Sequence, residues 1–246
     1  MLNSLFSSLI GFGVGGVGIG TGGLVACGIS RGREKVAWSL LAVSAGMIFS
    51  LLAMELLPES IAAGGYLASF TGIAVGLLFI SLLENLSHRV IIITGNPQRS
   101  LFMRAGLLFA LGIAFHNFPA GFAMGSGLIN QPRIGLDLAT TMLLHNFPEG
   151  LAMSLPLVLA GINRIFIPVM ASIVSVPAGL GAFLGANLGI INSSILAFLS
   201  GIAIGAIFFV TWHEILGYAR KRLCLRFLLC CLGGGLLIGR LFAIFK

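Results

Sequence analysis

Charge is scarce in this 246-residue chain: 9% of its positions are Asp, Glu, Lys or Arg, and only seven are acidic. Soluble globular domains carry about 25% charged residues, so a fold bathed in water on every side is excluded. Cysteine is equally sparse. Cys27, Cys224, Cys230 and Cys231 form no CxxC pair and lie within or beside apolar runs, which reads as packing rather than as a disulfide framework or a thiolate metal site. No basic stretch precedes the first apolar run and no cleavage motif follows it, so that run reads as a membrane span rather than a removed signal peptide. The metallopeptidase signature HExxH is missing as well.

What the chain does contain is apolar. Hydrophobic residues make up 58%, and the mean hydropathy is +1.09. A membrane-crossing helix needs roughly 20 mostly apolar residues. The pattern predicts eight such spans, at about 4–29, 36–61, 66–87, 102–127, 135–160, 165–188, 194–217 and 223–244. The expected fold is therefore an all-α membrane protein, one polytopic domain over 1–246, with no room for a soluble module. A net charge of +7 would suggest nucleic acid in a soluble chain, but here the cations punctuate apolar runs and no nucleic-acid partner is expected. Arg31, Arg33, Lys35, Arg89, Arg99, Arg104, Arg164, Arg220, Lys221, Arg222 and Arg226 fall around the odd-numbered connections, against Arg133 alone in the even ones. The positive-inside rule then places the odd connections in the cytoplasm and both termini outside the cell membrane.

Small residues mark where spans pack. Glycines crowd positions 11–23, and Gly181, Gly185 and Gly189 recur at four-residue spacing, a pattern that lets backbones approach where lipid offers no hydrophobic drive. Gly46, Phe49, Glu55 and Leu57 of span 2 recur with the same spacing as Gly205, Phe208, Glu214 and Leu216 of span 7. By the topology above these spans run in opposite directions, as in the inverted repeats of secondary transporters. Spans 1–3 and 6–8 would form the repeat around a central pair, spans 4 and 5.

The strongest signal lies in that pair: His116-Asn117-Phe118-Pro119-Ala120-Gly121 and His145-Asn146-Phe147-Pro148-Glu149-Gly150. A helical hairpin would bring the two motifs to the same depth. Polar side chains at mid-bilayer are functional candidates because they are costly unless paired or lining a cavity. Pro119 and Pro148 also free the carbonyls of Phe115 and Leu144 from intrahelical bonding. His145 and Glu149 share a helix face, and imidazole with carboxylate suits zinc and neighbouring first-row ions. His116 from the facing span would complete the set, with Asn117 and Asn146 adding amide oxygens or orienting the ligands. The bland alternative is interhelical hydrogen bonding that merely glues spans 4 and 5 together.

These motifs, with Gly-Thr-Gly-Gly at 20–23, Leu56-Leu57-Pro58-Glu59 and Glu214, resemble the ZIP family of divalent metal transporters across nearly the whole chain. The resemblance implies eight helices, termini outside, and a metal site between spans 4 and 5 on which His116, Asn117, His145, Asn146 and Glu149 fall. It also marks departures. Ala120 stands where the family usually has glutamate, Asn146 where an acid is common, and Val176 near the place of a carboxylate on span 6. One metal at a time is the expectation. Glu55, Glu59 and Asp137 lie toward the outer end, Glu84, His213 and Glu214 toward the inner. Of these, Glu55, Glu59, His213 and Glu214 are candidates for the mouth and exit of the route.

The function expected is movement of a divalent transition metal, zinc foremost with iron and manganese behind it, toward the cytoplasm. Beyond the transported ion no cofactor is expected. The partners are the ion and the lipid bilayer, and a homodimer is compatible with the sequence. Two other classes stay open: a membrane-embedded metal-dependent hydrolase, and a non-transporting sensor or scaffold that kept the fold.

Overall fold

The computed structural model describes residues 2–28, 34–90, 96–189 and 193–244, and among them the secondary structure is helical, without strands. Helices are the expected outcome, because a backbone in lipid must satisfy its own polar groups within the segment. The elements are α1 (Leu2–Cys27), α2 (Glu34–Leu51), α3 (Leu57–Val90), α4 (Pro97–Asn130), α5 (Pro132–Leu159), α6 (Phe166–Leu188), α7 (Ser193–Val210), α8 (Gly217–Arg222) and α9 (Leu225–Ile244). A π-helical turn, Leu52–Leu56, joins α2 to α3, and a second, Thr211–Leu216, joins α7 to α8.

Five stretches are long and apolar enough to cross a membrane among the described residues, one of them the 51-residue run Lys35–Asn85. That run folds into two spans at Gly65, whose φ of 83° and ψ of 171° suit only glycine. The break replaces the expected loop at 61–66. With α5 and α9 packed among the others, the expected eight helices are present. Helix α4 starts at Pro97, five residues earlier than the hydropathy suggested, because proline at the first helical position gives up no internal hydrogen bond. Arg104 is consequently not a connection residue: it lies two turns inside α4 and is buried.

Packing sets a four-helix body apart from a second, looser body of two helix pairs that meet through the π turns. Helices α1, α4, α5 and α6 pack on one another, while α2 packs on α9 and α3 on α7; narrower seams join α2 to α5 and α4 to α7. Glycine makes the tightest of these contacts. A Cβ on Gly22 would collide with the Phe147 carbonyl oxygen, and one on Gly181 with that of Phe118; Gly150 meets Ile19 and Gly121 meets Ala178 in the same way. In the second body Gly46 abuts the Leu232 carbonyl and Gly205 that of Ile73, while Gly235 abuts Val43 and Gly76 abuts Ile202. Across the seam from α4 to α7 the approach is looser: a Cβ on Gly112 would stand 3.8 Å from Ile207 Cγ1, ordinary van der Waals contact.

Candidate metal centre

The two HNFP motifs meet. His116 Nε2 lies 3.3 Å from His145 Nε2, with ring centroids 5.2 Å apart. Two nitrogens bound to one tetrahedral zinc at about 2.05 Å each stand about 3.4 Å apart. The pair therefore has the separation of two ligands on a single ion, and equally that of a long N–H···N hydrogen bond. Both histidines are buried and both line a cavity of about 330 Å³ that also touches Glu59, Pro119, Ala120 and Thr141. Glu59 is exposed, so the cavity connects a surface carboxylate with the imidazoles. A smaller pocket that shares His145 and Thr141 with it is lined also by Glu55 and Pro148.

The remaining motif residues are fully buried and short of partners. Asn117 Nδ2 donates to the Val174 carbonyl at 3.0 Å, while its Oδ1 accepts no hydrogen bond from the described residues. Neither polar atom of Asn146 nor either oxygen of Glu149 has a hydrogen-bond partner among the described residues. An uncompensated carboxylate at full burial costs several kcal/mol, and buried polar groups left unpaired in a native fold call for an explanation. Glu149 is not among the residues lining the larger cavity, although Ala120, at the matching place in the other motif, is. Among the described residues no three His, Cys, Asp or Glu side chains converge to hold a metal. The structure thus assembles the histidine pair, with Glu149 one helical turn beyond His145 and not yet joined to it.

The outlying candidates separate. Glu55 falls in the first π turn and Glu214 in the second, the kind of local distortion that clusters at functional sites. The side chains of Glu214 and His88, together with Arg31 and Arg33 entirely, lie outside the described residues. Asp137 is exposed, and Val176 is 45% exposed, turned away from the buried motifs. His213 has a definite partner: its Nδ1 lies 2.9 Å from Glu84 Oε1, and Arg104 Nη2 approaches the same oxygen at 3.7 Å. Sequence reading placed Glu84 and His213 at the inner end but did not join them, and it missed Arg104. The signal was there, since Glu84 and Arg104 are opposite charges inside apolar runs, where ionisable residues pair with one another.

A helical bundle with membrane-length apolar spans, in which two proline-containing HNFP motifs meet through their histidines, defines the class as a polytopic membrane protein with buried imidazole, amide and carboxylate side chains around that meeting point. The model of the family described as ZIP Zinc transporter matches residues 94–240. The zinc transporter ZupT of Akkermansia muciniphila is 30% identical over 236 residues, which cover 84% of this chain and 85% of that protein. The chain belongs to the ZIP zinc transporter family. The zinc transporters ZupT of Corynebacterium efficiens and Lysinibacillus sphaericus are each 29% identical, over 139 and 149 residues. Those matches span about half the length of each relative, 52% and 55%.

Proposed function

We propose that the protein carries a divalent transition metal, zinc foremost, across the cell membrane toward the cytoplasm through a site between α4 and α5. The observation that carries this reading is a buried carboxylate, Glu149, without a hydrogen-bond partner among the described residues and one helical turn from His145, whose imidazole and that of His116 are spaced as ligands of one tetrahedral ion. A divalent cation resolves both features at once: it supplies the charge Glu149 lacks and uses the lone pairs of His116 and His145, with Asn117 and Asn146 offering amide oxygens. Hydrogen-bonding glue explains the histidine contact but leaves Glu149 unexplained. The family is one of transporters, which sets the hydrolase reading aside.

The route runs from Glu59 at the mouth of the cavity, past Glu55, to the histidines, and out by His213 and Glu214, with both termini extracytoplasmic. The whole chain acts as one polytopic unit built on an inverted repeat of spans 1–3 and 6–8. Its support is a constant offset of 159 positions (205 − 46). The two π turns begin at that offset, at Leu52 and Thr211. So do the glycine contacts: Gly46 on Leu232 answers Gly205 on Ile73 read backwards, and Gly235 on Val43 answers Gly76 on Ile202. Gly22 on Phe147 and Gly181 on Phe118 extend the relation to α4 and α5.

Transport then follows from the two bodies. Backbone-to-backbone glycine contacts hold α1, α4, α5 and α6 together and clamp α2 to α9 and α3 to α7, whereas across the seam a Cβ on Gly112 would meet Ile207 only at ordinary van der Waals distance, so the relative motion is placed there. Displacement of α1, α4, α5 and α6 against the rest exposes the site to one side and then the other, the general scheme of repeat-built transporters. Zinc uptake into proteoliposomes holding the purified chain tests the proposal. Saturable uptake supports it, and metal binding without uptake would favour the sensor reading.

A further inference from the structure

Beyond the central motifs, one group of ionisable side chains meets between helical segments: Glu84 of α3, Arg104 of α4 and His213 of the second π turn. Glu84 and Arg104 are each less than a tenth exposed, and both Arg104 Nη2 and His213 Nδ1 address Glu84 Oε1. His213 behaves differently, with 59% of its side chain exposed. A carboxylate and an imidazole 2.9 Å apart need only open by a few tenths of an ångström to reach the roughly 3.4 Å between two ligands of one tetrahedral ion, and an exposed imidazole can make that shift. The obstacle is the guanidinium. Arg cannot give up its charge, so a divalent cation and Arg104 cannot both sit against one buried carboxylate without strong repulsion.

We propose that Arg104 is a tethered competitor for metal at Glu84 and His213: it neutralises Glu84 while no ion is present and must withdraw before a cation can use that pair. The proposal rests on the transport reading for its physiological meaning, since a competing cation keeps the inner end from holding metal and so favours release. Its chemistry stands apart from that reading. The same pair would hold an ion only weakly in the parent chain and more tightly when the guanidinium is removed.

The test is cadmium binding to the purified full-length chain in detergent, in an H145A/E149Q background so that the central motifs do not contribute. R104Q should bind an additional cadmium ion at least about tenfold tighter than the parent, within the usual range for coupled sites, and the gain should vanish with E84Q or H213A added. Heat denaturation gives a second readout. R104Q removes a buried cation from beside Glu84, so its midpoint should fall in EDTA and recover with cadmium but not with magnesium, whereas R104Q/E84Q should gain nothing from metal. Should R104Q not be recovered, R104M, neutral and of similar length, takes its place. Cadmium affinity unchanged from the parent, or a gain that survives E84Q, overturns the proposal. If those gains appear while the parent fails to move zinc in liposomes, the transport reading fails and this one stands.

Discussion

Phe49 of α2 and Phe208 of α7 hold the same position ahead of their respective π turns, and their rings meet with centroids 5.7 Å apart. Residues related by a two-fold axis touch only where they lie beside it, so this contact marks where the axis of the inverted repeat would pass.

The seam between the bodies gives the first prediction. Gly112 of α4 and Ile207 of α7 face each other across it, whereas Gly15 of α1 and Ser175 of α6 lie within one body, with a Cβ on Gly15 at 3.2 Å from Ser175 Cβ. In a chain whose four native cysteines are changed to serine, oxidative cross-linking of G112C/I207C should abolish uptake, and reduction should restore it. Cross-linked G15C/S175C should keep most of its rate. Equal activity in both cross-linked proteins would mean that the seam does not move.

Glycine contacts predict stability. Valine at Gly121 or Gly150 must displace the backbone of Ala178 or Ile19, and overpacking of this kind costs about 1–3 kcal/mol or more. Gly13 has nothing within 4 Å of a built Cβ, so G13A should change little. Heat denaturation in detergent compares them, and similar midpoints for G121V, G150V and G13A would show that the close approaches are not needed.

Much of this architecture was legible in the sequence because a membrane span is a run of one composition, and the HNFP motifs announced themselves by duplication. Helix ends were less legible. Gly65 breaks a continuous apolar stretch through its own backbone freedom, and Pro97 extends α4 outward, neither of which hydropathy reports. The meeting of His116 with His145 followed from hairpin geometry. The isolation of Glu149 did not, because it depends on which side chains of other helices surround α5. Arg104 was misplaced for a related reason: a cation near a helix start resembles a topology signal until its partner Glu84, in another helix, is located.

Topology is open to direct measurement. Tags fused at Met1 and Lys246 should both be reached by impermeant reagents on intact cells, as expected from the bias of cations toward odd connections. Reaction of either tag only after permeabilisation would reverse that end and, with it, the antiparallel relation of spans 2 and 7.

The site itself has a graded prediction. H145A and H116A each remove a proposed direct ligand and should weaken zinc binding by about 100-fold or more, the upper end of what loss of a merely supporting residue costs. A120E adds a second anion in the cavity beside His116, so it should tighten binding and slow turnover. Calorimetry for affinity and initial uptake rates for turnover separate the two effects. Weaker binding by A120E would place the ion away from α4.

Saturable zinc uptake by E149Q in proteoliposomes addresses the central claim most directly. A divalent ion stripped of water between helices needs an anionic partner, because imidazoles and amides supply lone pairs without compensating charge, and E149Q keeps the shape of the side chain while removing that charge. With the protein inserted and folded like the parent, uptake should fall to the level of empty liposomes. Uptake at the parental rate would show that Glu149 is a structural residue and that the metal passes elsewhere.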